Sequence, residues 1–269
     1  MITIDNYKTI TLEGVGAVRT LMNTGTGIMF SLTNGQLTLD GNVTLDGANV
    51  NRNYLSTMVS INSGSTFTMK NGTKIANSLK TIGTTWTRGA GVMVNHSTAS
   101  FIMEGGEITN CSALIGGGVT VTAGTFAMSG GSITGNTATH YGNDVEIATG
   151  SIIKLSGNAK IGDLLLAPST TVTLSSNFTG SVTGLYLGGL AYRATTPPTI
   201  WVNGDVRVIT PASGAILTKE LLDKFPLRYF CGNSGYLGEY TLLPITGFHL
   251  YGTNDGETDA AKMGTLVAD

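Results

Sequence analysis

The chain has 269 residues, which is enough for one large domain or two ordinary ones, and charged residues make up 12% of it, about half the usual share. The net charge of −2 gives no electrostatic footprint for nucleic acid. No apolar stretch approaches the ~18 residues of a transmembrane helix. With 38 glycines and many Thr, Val, Ile and Asn residues, the composition favours strands and tight turns over helices.

The beginning of the chain and its cysteines carry no targeting or cross-linking signal. Residues 1–5 lack a basic segment followed by an apolar core, so no signal peptide is visible in this chain. Cys111 and Cys231 have neither the spacing of a disulfide framework nor that of metal ligands, and we expect two separate, partly buried thiols. The three histidines show no ligand-like spacing. We therefore expect no metal and no cofactor.

Short alternating triplets, apolar at both ends, recur along the chain in order. Irregular copies occur at 2–4, 10–12, 30–32, 37–39 and 43–45. Regular pairs of triplets follow at 59–61 with 67–69, 92–94 with 101–103, 119–121 with 126–128, 145–147 with 153–155, and 164–166 with 172–174. In a strand, both outer residues of such a triplet face one side and the middle residue faces the other. The pattern predicts several short strands per repeat.

A repeat of this size cannot close a core alone, so successive repeats are expected to stack as a parallel β-helix, or β-solenoid. The predicted inner wall contains Phe67, Phe101 and Phe126, with Met69, Met103 and Met128 beside them. A second inner wall contains Val59, Val92, Val119, Val145 and Leu164. About seven to nine coils at ~4.8 Å each would give a rod on the order of 40 Å long.

The repeat fades after residue 189. The segment 218–225 is the only convincing short helix, with Thr218 as its N-cap and acidic residues in the first turn. We therefore predict an all-β protein with a parallel β-helix over residues 1–189. Residues 190–269 are predicted to form a C-terminal cap, or a small appended β-rich domain, that contains the helix.

Two glycine motifs carry a resemblance to a known family. The segments 105–110 and 130–138 share a GG-x-I-[ST] pattern, and 116–121 between them reads GGGVTV. The chain thereby resembles adhesin-like right-handed parallel β-helix repeats of bacterial surface and secreted proteins. It is also loosely similar to polymorphic outer-membrane protein repeats. The resemblance implies right-handedness, an extracellular or cell-surface location, and a structural or adhesive role without catalytic residues.

An enzyme is the alternative interpretation, because many β-helix proteins cleave polysaccharides as lyases or hydrolases. Such a site needs carboxylates close together on one outer face. Asp144 and Glu146 are the best pair, with Lys154 and Asp163 as potential neighbours. We expect these two carboxylates to be solvated charges on an open sheet face.

The outward positions of the repeat also indicate where a partner could bind. The predicted outer column of the first sheet contains Ser60, Met93, Thr120, Glu146, Leu165 and Tyr186, and that of the second contains Thr68, Ile102, Ala127, Lys154 and Thr173. Leu165 and Tyr186, together with Trp86 in the longest loop, are the predicted binding residues.

Together these features predict a non-catalytic module that presents a rigid rod to a protein or glycan surface, or to copies of itself. Filament building and phage-type receptor recognition remain further options. Thr-x-Thr pairs at 9–11, 66–68, 120–122 and 171–173 are not expected to recur at one place in successive coils, which argues against ice binding.

Overall fold

The fold was derived from a computed structural model of the chain. It describes residues 1–53, 56–80, 87–167, 170–187, 191–193, 199–201, 209–216, 218–230 and 236–240. Nearly all regular structure in these ranges is β. The one helix in these ranges has four residues, and no helix there is long and apolar enough to cross a membrane.

The elements follow one another in short steps. The first strands are β1 (Ile2–Ile4), β2 (Thr9–Met22), β3 (Phe30–Leu32), β4 (Gln36–Asp46), β5 (Val59–Ile61), β6 (Thr66–Met69), β7 (Lys74–Ala76), β8 (Val92–Met103), β9 (Glu107–Thr109), β10 (Ser112–Ile115), β11 (Val119–Met128) and β12 (Ser132–Ile133). They are followed by β13 (Thr137–Tyr141), β14 (Val145–Ile147), β15 (Ile152–Leu155), β16 (Lys160–Leu166), β17 (Val172–Leu174), β18 (Ser181–Leu187), β19 (Ala191–Arg193), β20 (Thr199–Trp201), β21 (Ile209–Pro211), α1 (Lys219–Leu222), β22 (Leu227–Phe230) and β23 (Tyr236–Tyr240).

Three rows of parallel pairing organise the strands. The first row runs β1, β3, β5, β8, β11, β14, β16, β18, β22. The second row runs β2, β4, β6, β8, β11, β15, β17, β21. The third row runs β2, β4, β7, β9, β12, β16, β18. Because long strands such as β4, β8 and β16 each belong to two rows, the parallel sheet closes into a barrel-like ring.

The core lies inside this ring and has the side chains that the repeats predict. The rings of Phe67 and Phe101 stack with centroids 5.2 Å apart, and those of Phe101 and Phe126 with centroids 5.1 Å apart. Met69, Met103 and Met128 are in register and buried. The column Val59, Val92, Val119, Val145, Leu164 is also in register and buried. These stacking predictions are confirmed.

The double-glycine motifs sit where successive turns touch. Gly106 and Gly131 both have a φ of +84°, a backbone conformation that side chains with a Cβ rarely adopt. A Cβ on Gly131 would lie 2.6 Å from the carbonyl oxygen of Gly106 in the neighbouring turn. The motif is therefore required by the close approach of two backbones, and not only by the local turn.

The C-terminal part contains the predicted helix in a shorter form. The backbone N–H of Leu221 donates to the Thr218 hydroxyl oxygen at 3.2 Å, which confirms Thr218 as the N-cap. The parallel rows continue beyond residue 189, because Ile209 pairs with Val172 and Leu227 pairs with Leu185. Much of 190–269, Cys231 included, lies outside the described residues, so the proposed division at 189 stays a prediction.

The opposite end of the rows is formed by β1 and β2. Among the described strands, β1 pairs with β3 and β2 pairs with β4. Val15, Val18 and Met22 of β2 expose more than half of their surface. This end therefore presents strand edges and apolar side chains together.

Candidate functional site

The outer column of the first row has the register that the sequence predicts. Ser60, Met93, Thr120, Glu146, Leu165 and Tyr186 occupy equivalent positions on successive strands. Their exposure, however, differs from the expectation. Four of these side chains are buried, at 9% exposure or less: Ser60, Thr120, Glu146 and Leu165. Something outside the ring must therefore cover this face.

Over Thr120, Glu146 and Leu165 the cover is a second layer made of residues 87–89, 112–117 and 137–143, called here the covering layer, whereas Ser60 is approached by Asn62 and Asn95. Its strands β10 and β13 pair in parallel, and Arg88 forms a parallel bridge to Ile115 of β10. Glycines allow the layer to approach the ring closely. A Cβ on Gly89 would lie 3.2 Å from Cβ of Thr120, and one on Gly142 would lie 2.9 Å from Cβ of Leu165.

Glu146 connects the ring to the covering layer. One of its carboxylate oxygens forms an ion pair with Arg88, and the other accepts a hydrogen bond from the Thr120 hydroxyl at 3.1 Å. Burial raises the pKa of Glu146, while the positive charge of Arg88 and the Thr120 hydrogen bond oppose that rise. The carboxylate is thus committed to a structural ion pair.

Asp144 has a similar connecting role. Its Oδ1 accepts hydrogen bonds from the backbone N–H of Asn136 at 3.0 Å and from the Asn136 side-chain amide at 2.9 Å. Its Oδ2 accepts from the backbone N–H of Asp163 at 2.8 Å. Burial raises the pKa of Asp144, and these three hydrogen bonds lower it in part. Asp144 therefore fixes the turn before β14.

The predicted state of the two carboxylates was wrong. They were expected to be solvated, but Asp144 and Glu146 are only 4% and 5% exposed. Glu146 lies under the covering layer, in contact with Arg88, and Asp144 is enclosed by Asn136 and the backbone of Asp163. Asp163 is a neighbour of Asp144, as suggested, whereas Lys154 lies in the second row, paired with Ala127 and Thr173. All four carboxylate oxygens already have partners. The hydrogen bonds of Asp144 and Glu146 are therefore structural contacts within the protein.

A buried lysine under the same layer was not found from the sequence. Nζ of Lys80 donates to the carbonyl oxygen of Arg88 at 2.5 Å, and the Thr87 hydroxyl donates to the carbonyl oxygen of Lys80 at 2.7 Å. Burial lowers the pKa of Lys80 to about 8. Lys80 stands outside the repeats, so no strand alternation could have placed it inside.

The three predicted binding residues have different outcomes. Leu165 is 9% exposed beneath the covering layer, so its expected position on an exposed face was wrong, while its role as a binding residue stays a prediction. Tyr186 is half-buried on the same column. Trp86 lies outside the described residues.

Within the described part of the chain, no second layer covers the outer face of the second row. Its column has the predicted register, in the order Thr11, Thr38, Thr68, Ile102, Ala127, Lys154, Thr173, Thr210. Single threonines therefore recur there on successive strands, at Thr11, Thr38 and Thr68, until Ile102 and Ala127 interrupt the series. The Thr-x-Thr pairs do not recur in successive coils, as expected, because Gln36 lies between Thr9 and Thr66 in the register. Thr38 belongs to the segment Gln36-Leu37-Thr38, which a search for Thr-x-Thr pairs does not find.

A groove of about 360 Å³ follows this column. It is lined by Ile102, Glu104, Ala127, Met128, Ser129, Lys154, Leu155, Ser156, Thr173, Ser175 and Ala212. No group of three or more His, Cys, Asp or Glu side chains in the described part of the chain could hold a metal ion. The groove is therefore a binding candidate made of hydroxyl groups, one acid, one amine and an apolar floor.

Comparisons with protein-family models, with curated proteins and with solved structures give no match to this chain. The geometry of these two faces is therefore the basis for proposing a function.

We expect Arg88→Met to lower the free energy of unfolding by about 2 kcal/mol at neutral pH, because it leaves Glu146 buried without its positive partner. Arg88 is 33% exposed, so the cost should fall below that of a fully buried pair. The pKa of Glu146 is already raised by burial and would rise further. The folded state would then bind a proton that the unfolded state releases, so the deficit should shrink as the pH falls. Urea unfolding at several pH values measures this.

Lys74→Met is the matched control, because Lys74 forms an ion pair of 3.0 Å with Glu107 in which both side chains are exposed by more than a third. That variant should lose less than ~1 kcal/mol and show no recovery in acid. Equal losses in the two variants would contradict a structural role for the buried pair.

Proposed function

We propose that this chain is a non-catalytic, adhesin-like module of an extracellular or cell-surface protein. Its three rows of parallel strands would be the three faces of a right-handed β-helix, whose rigid surface is presented to a partner or to copies of the same chain. Nine strands in register in the first row correspond to a rod on the order of 40 Å long at ~4.8 Å per strand. The right-handedness and the location are inferred from the resemblance of the glycine motifs.

The observation that carries this proposal is the unbroken register of like side chains along the rows. The stacked rings of Phe67, Phe101 and Phe126 give a scaffold in which each strand is fixed by its two neighbours. Such a scaffold is suited to holding a surface in a constant shape. The best carboxylate pair, Asp144 and Glu146, supports a scaffold role as well, because its oxygens bind backbone and side-chain donors inside the protein.

The end formed by β1 and β2 has features that favour self-assembly, which is therefore included in the proposed function. Their edges carry backbone donors and acceptors that can pair with another strand. The exposed Val15, Val18 and Met22 add apolar surface there. Association at this end would lengthen the rod without altering its faces.

The test combines surface binding, light scattering and product analysis on the purified chain. We expect retention on glycan-coated or protein-coated surfaces, or a molar mass that rises with concentration, and no release of reducing or unsaturated sugar ends from polysaccharides. Heat-unfolded protein is the control for non-specific adhesion. Sugar release that disappears in Glu146→Gln would contradict the proposal in favour of a polysaccharide-cleaving enzyme. Monomeric protein without any retention would also contradict it.

A further inference from the structure

We propose that the groove on the outer face of the second row binds a neutral, linear, extended glycan that lies along the direction in which the strands stack. The inference rests on the proposed function, and it names the class of partner. Four features of the groove carry it: the shape of its floor, the hydroxyl groups at its rim, its charge balance, and the pairing of its strands.

The floor of the groove is apolar where the outward column has its smallest side chain. Ala127 lies between Ile102 on one neighbouring strand and Lys154 on the other. The short alanine side chain makes the concavity, since its neighbours project further from the sheet. An apolar floor can cover the C–H face of a pyranose ring and remove it from water.

The rim is a ladder of serine hydroxyl groups. Ser129, Ser156 and Ser175 each follow directly after a strand of the second row, and each donates its backbone N–H to the strand before, at 2.9, 3.0 and 3.0 Å. The three residues therefore repeat at the strand spacing of ~4.8 Å. One unit of an extended β-1,4-linked pyranose chain has about the same length as this spacing. Successive sugars can thus meet equivalent hydroxyl groups.

The charges of the groove favour an uncharged ligand. Its lining contains one acid, Glu104, and one amine, Lys154, and both residues are exposed. Their charges cancel, so neither a polyanion nor a polycation gains from the groove as a whole. Each charged group can still form a charge-assisted hydrogen bond with a sugar hydroxyl.

A peptide is disfavoured by the pairing of the strands beneath the groove. An extended peptide usually binds by adding a strand to an open sheet edge. Here β11 pairs with β8 and β15, and β15 pairs with β11 and β17. The backbone donors and acceptors of these strands are thus used within the sheet, and the groove offers side chains instead.

The experiment titrates ¹⁵N-labelled protein with neutral β-1,4-linked hexasaccharides of glucose, mannose, xylose and N-acetylglucosamine. We expect at least one of them to shift amide signals of groove residues. Ala127→Arg should weaken that binding by about tenfold or more, because the long side chain fills the concavity. Ser132→Arg is the matched control, since Ser132 lies outward on the third row. This variant should bind the hexasaccharide with the same affinity as the unchanged protein.

The inference is overturned if none of the four hexasaccharides binds, if both arginine variants weaken binding equally, or if the signal shifts map to another face. The same is true if an acidic or basic peptide binds the groove in preference to the sugars. Mass spectrometry of the sugars distinguishes failure of the groove proposal from failure of the proposed non-catalytic function. If a bound sugar is cleaved, the groove proposal holds and the non-catalytic function is refuted. If the protein is retained on surfaces but binds none of the sugars, the groove proposal is refuted and the proposed function holds.

Discussion

Phe101→Ala should lower the free energy of unfolding by about 3–5 kcal/mol, the range expected for removing a buried phenylalanine from a packed core. Phe101 has 0% exposure and lies between two parallel rings, at 5.2 and 5.1 Å. The neighbouring backbones are held by pairing on both sides, so they cannot collapse into the space that the ring leaves. Urea unfolding followed by circular dichroism measures the loss.

Two comparisons separate the stack from general damage. Ile102 is the next residue and faces outward, so Ile102→Ala should cost less than ~1 kcal/mol. Phe67 stacks on one phenylalanine ring rather than two, so Phe67→Ala should cost less than Phe101→Ala by about 0.5–1.5 kcal/mol. If Ile102→Ala were as harmful as Phe101→Ala, the inward and outward assignments of this row would be wrong.

The inner walls could be predicted because the alternation of residues within each triplet and the repetition of the triplets along the chain indicate the same inward-facing side chains. In the triplet Phe101-Ile102-Met103, a strand period of two places the phenylalanine and the methionine on one side. The same triplet form returns at 67–69 and 126–128, and a one-residue slip in any copy would turn its apolar pair toward solvent. The register therefore follows from the sequence without any knowledge of long-range contacts.

The covering layer could not be predicted, because residues that face outward from a sheet are normally expected to be exposed and here they are buried. Alternation correctly places Thr120 and Glu146 on the outside of the ring, yet they are 0% and 5% exposed. What covers them is a contact between segments far apart in sequence, such as Arg88 with Glu146. The available signal was the run of three glycines at 116–118 directly before β11, where the chain turns back over its own next strand.

This difference changes which outer face is available to a partner. The sequence assigns binding residues to the first row, at Leu165 and Tyr186, because large apolar side chains appear there. The covering layer buries Leu165 and engages Glu146. The second row has smaller outward side chains, such as Ala127 and Ser129, and no described segment covers it. The groove therefore forms on the face whose outward side chains are small and gave no signal for binding in the sequence.

Arg52→Met should lower the free energy of unfolding by about 3 kcal/mol or more, since it removes five hydrogen bonds and leaves the buried acceptors at Gly47 and Ser78 without this donor. Arg52 is 0% exposed. Its five N–H groups donate to the Ser78 hydroxyl and to four carbonyl oxygens, those of Asn23, Gly25, Gly27 and Gly47, at 2.5–3.2 Å. Burial lowers the pKa of this guanidinium, and the hydrogen bonds compensate for its desolvation.

The geometry also predicts how much unfolding free energy other arginine variants should lose. Arg52→Lys keeps the charge but offers three donors in place of five, so it should recover only part of the stability. Arg19 is exposed, and Arg19→Met should change the unfolding free energy by less than ~0.5 kcal/mol. Hydrogen exchange adds a local measurement: residues 23–27 should exchange faster in Arg52→Met, because the guanidinium joins that segment to the turn at Gly47 and to Ser78. Unchanged exchange at 23–27 alongside a full loss of stability would contradict this clamp, since the damage would then lie elsewhere in the core.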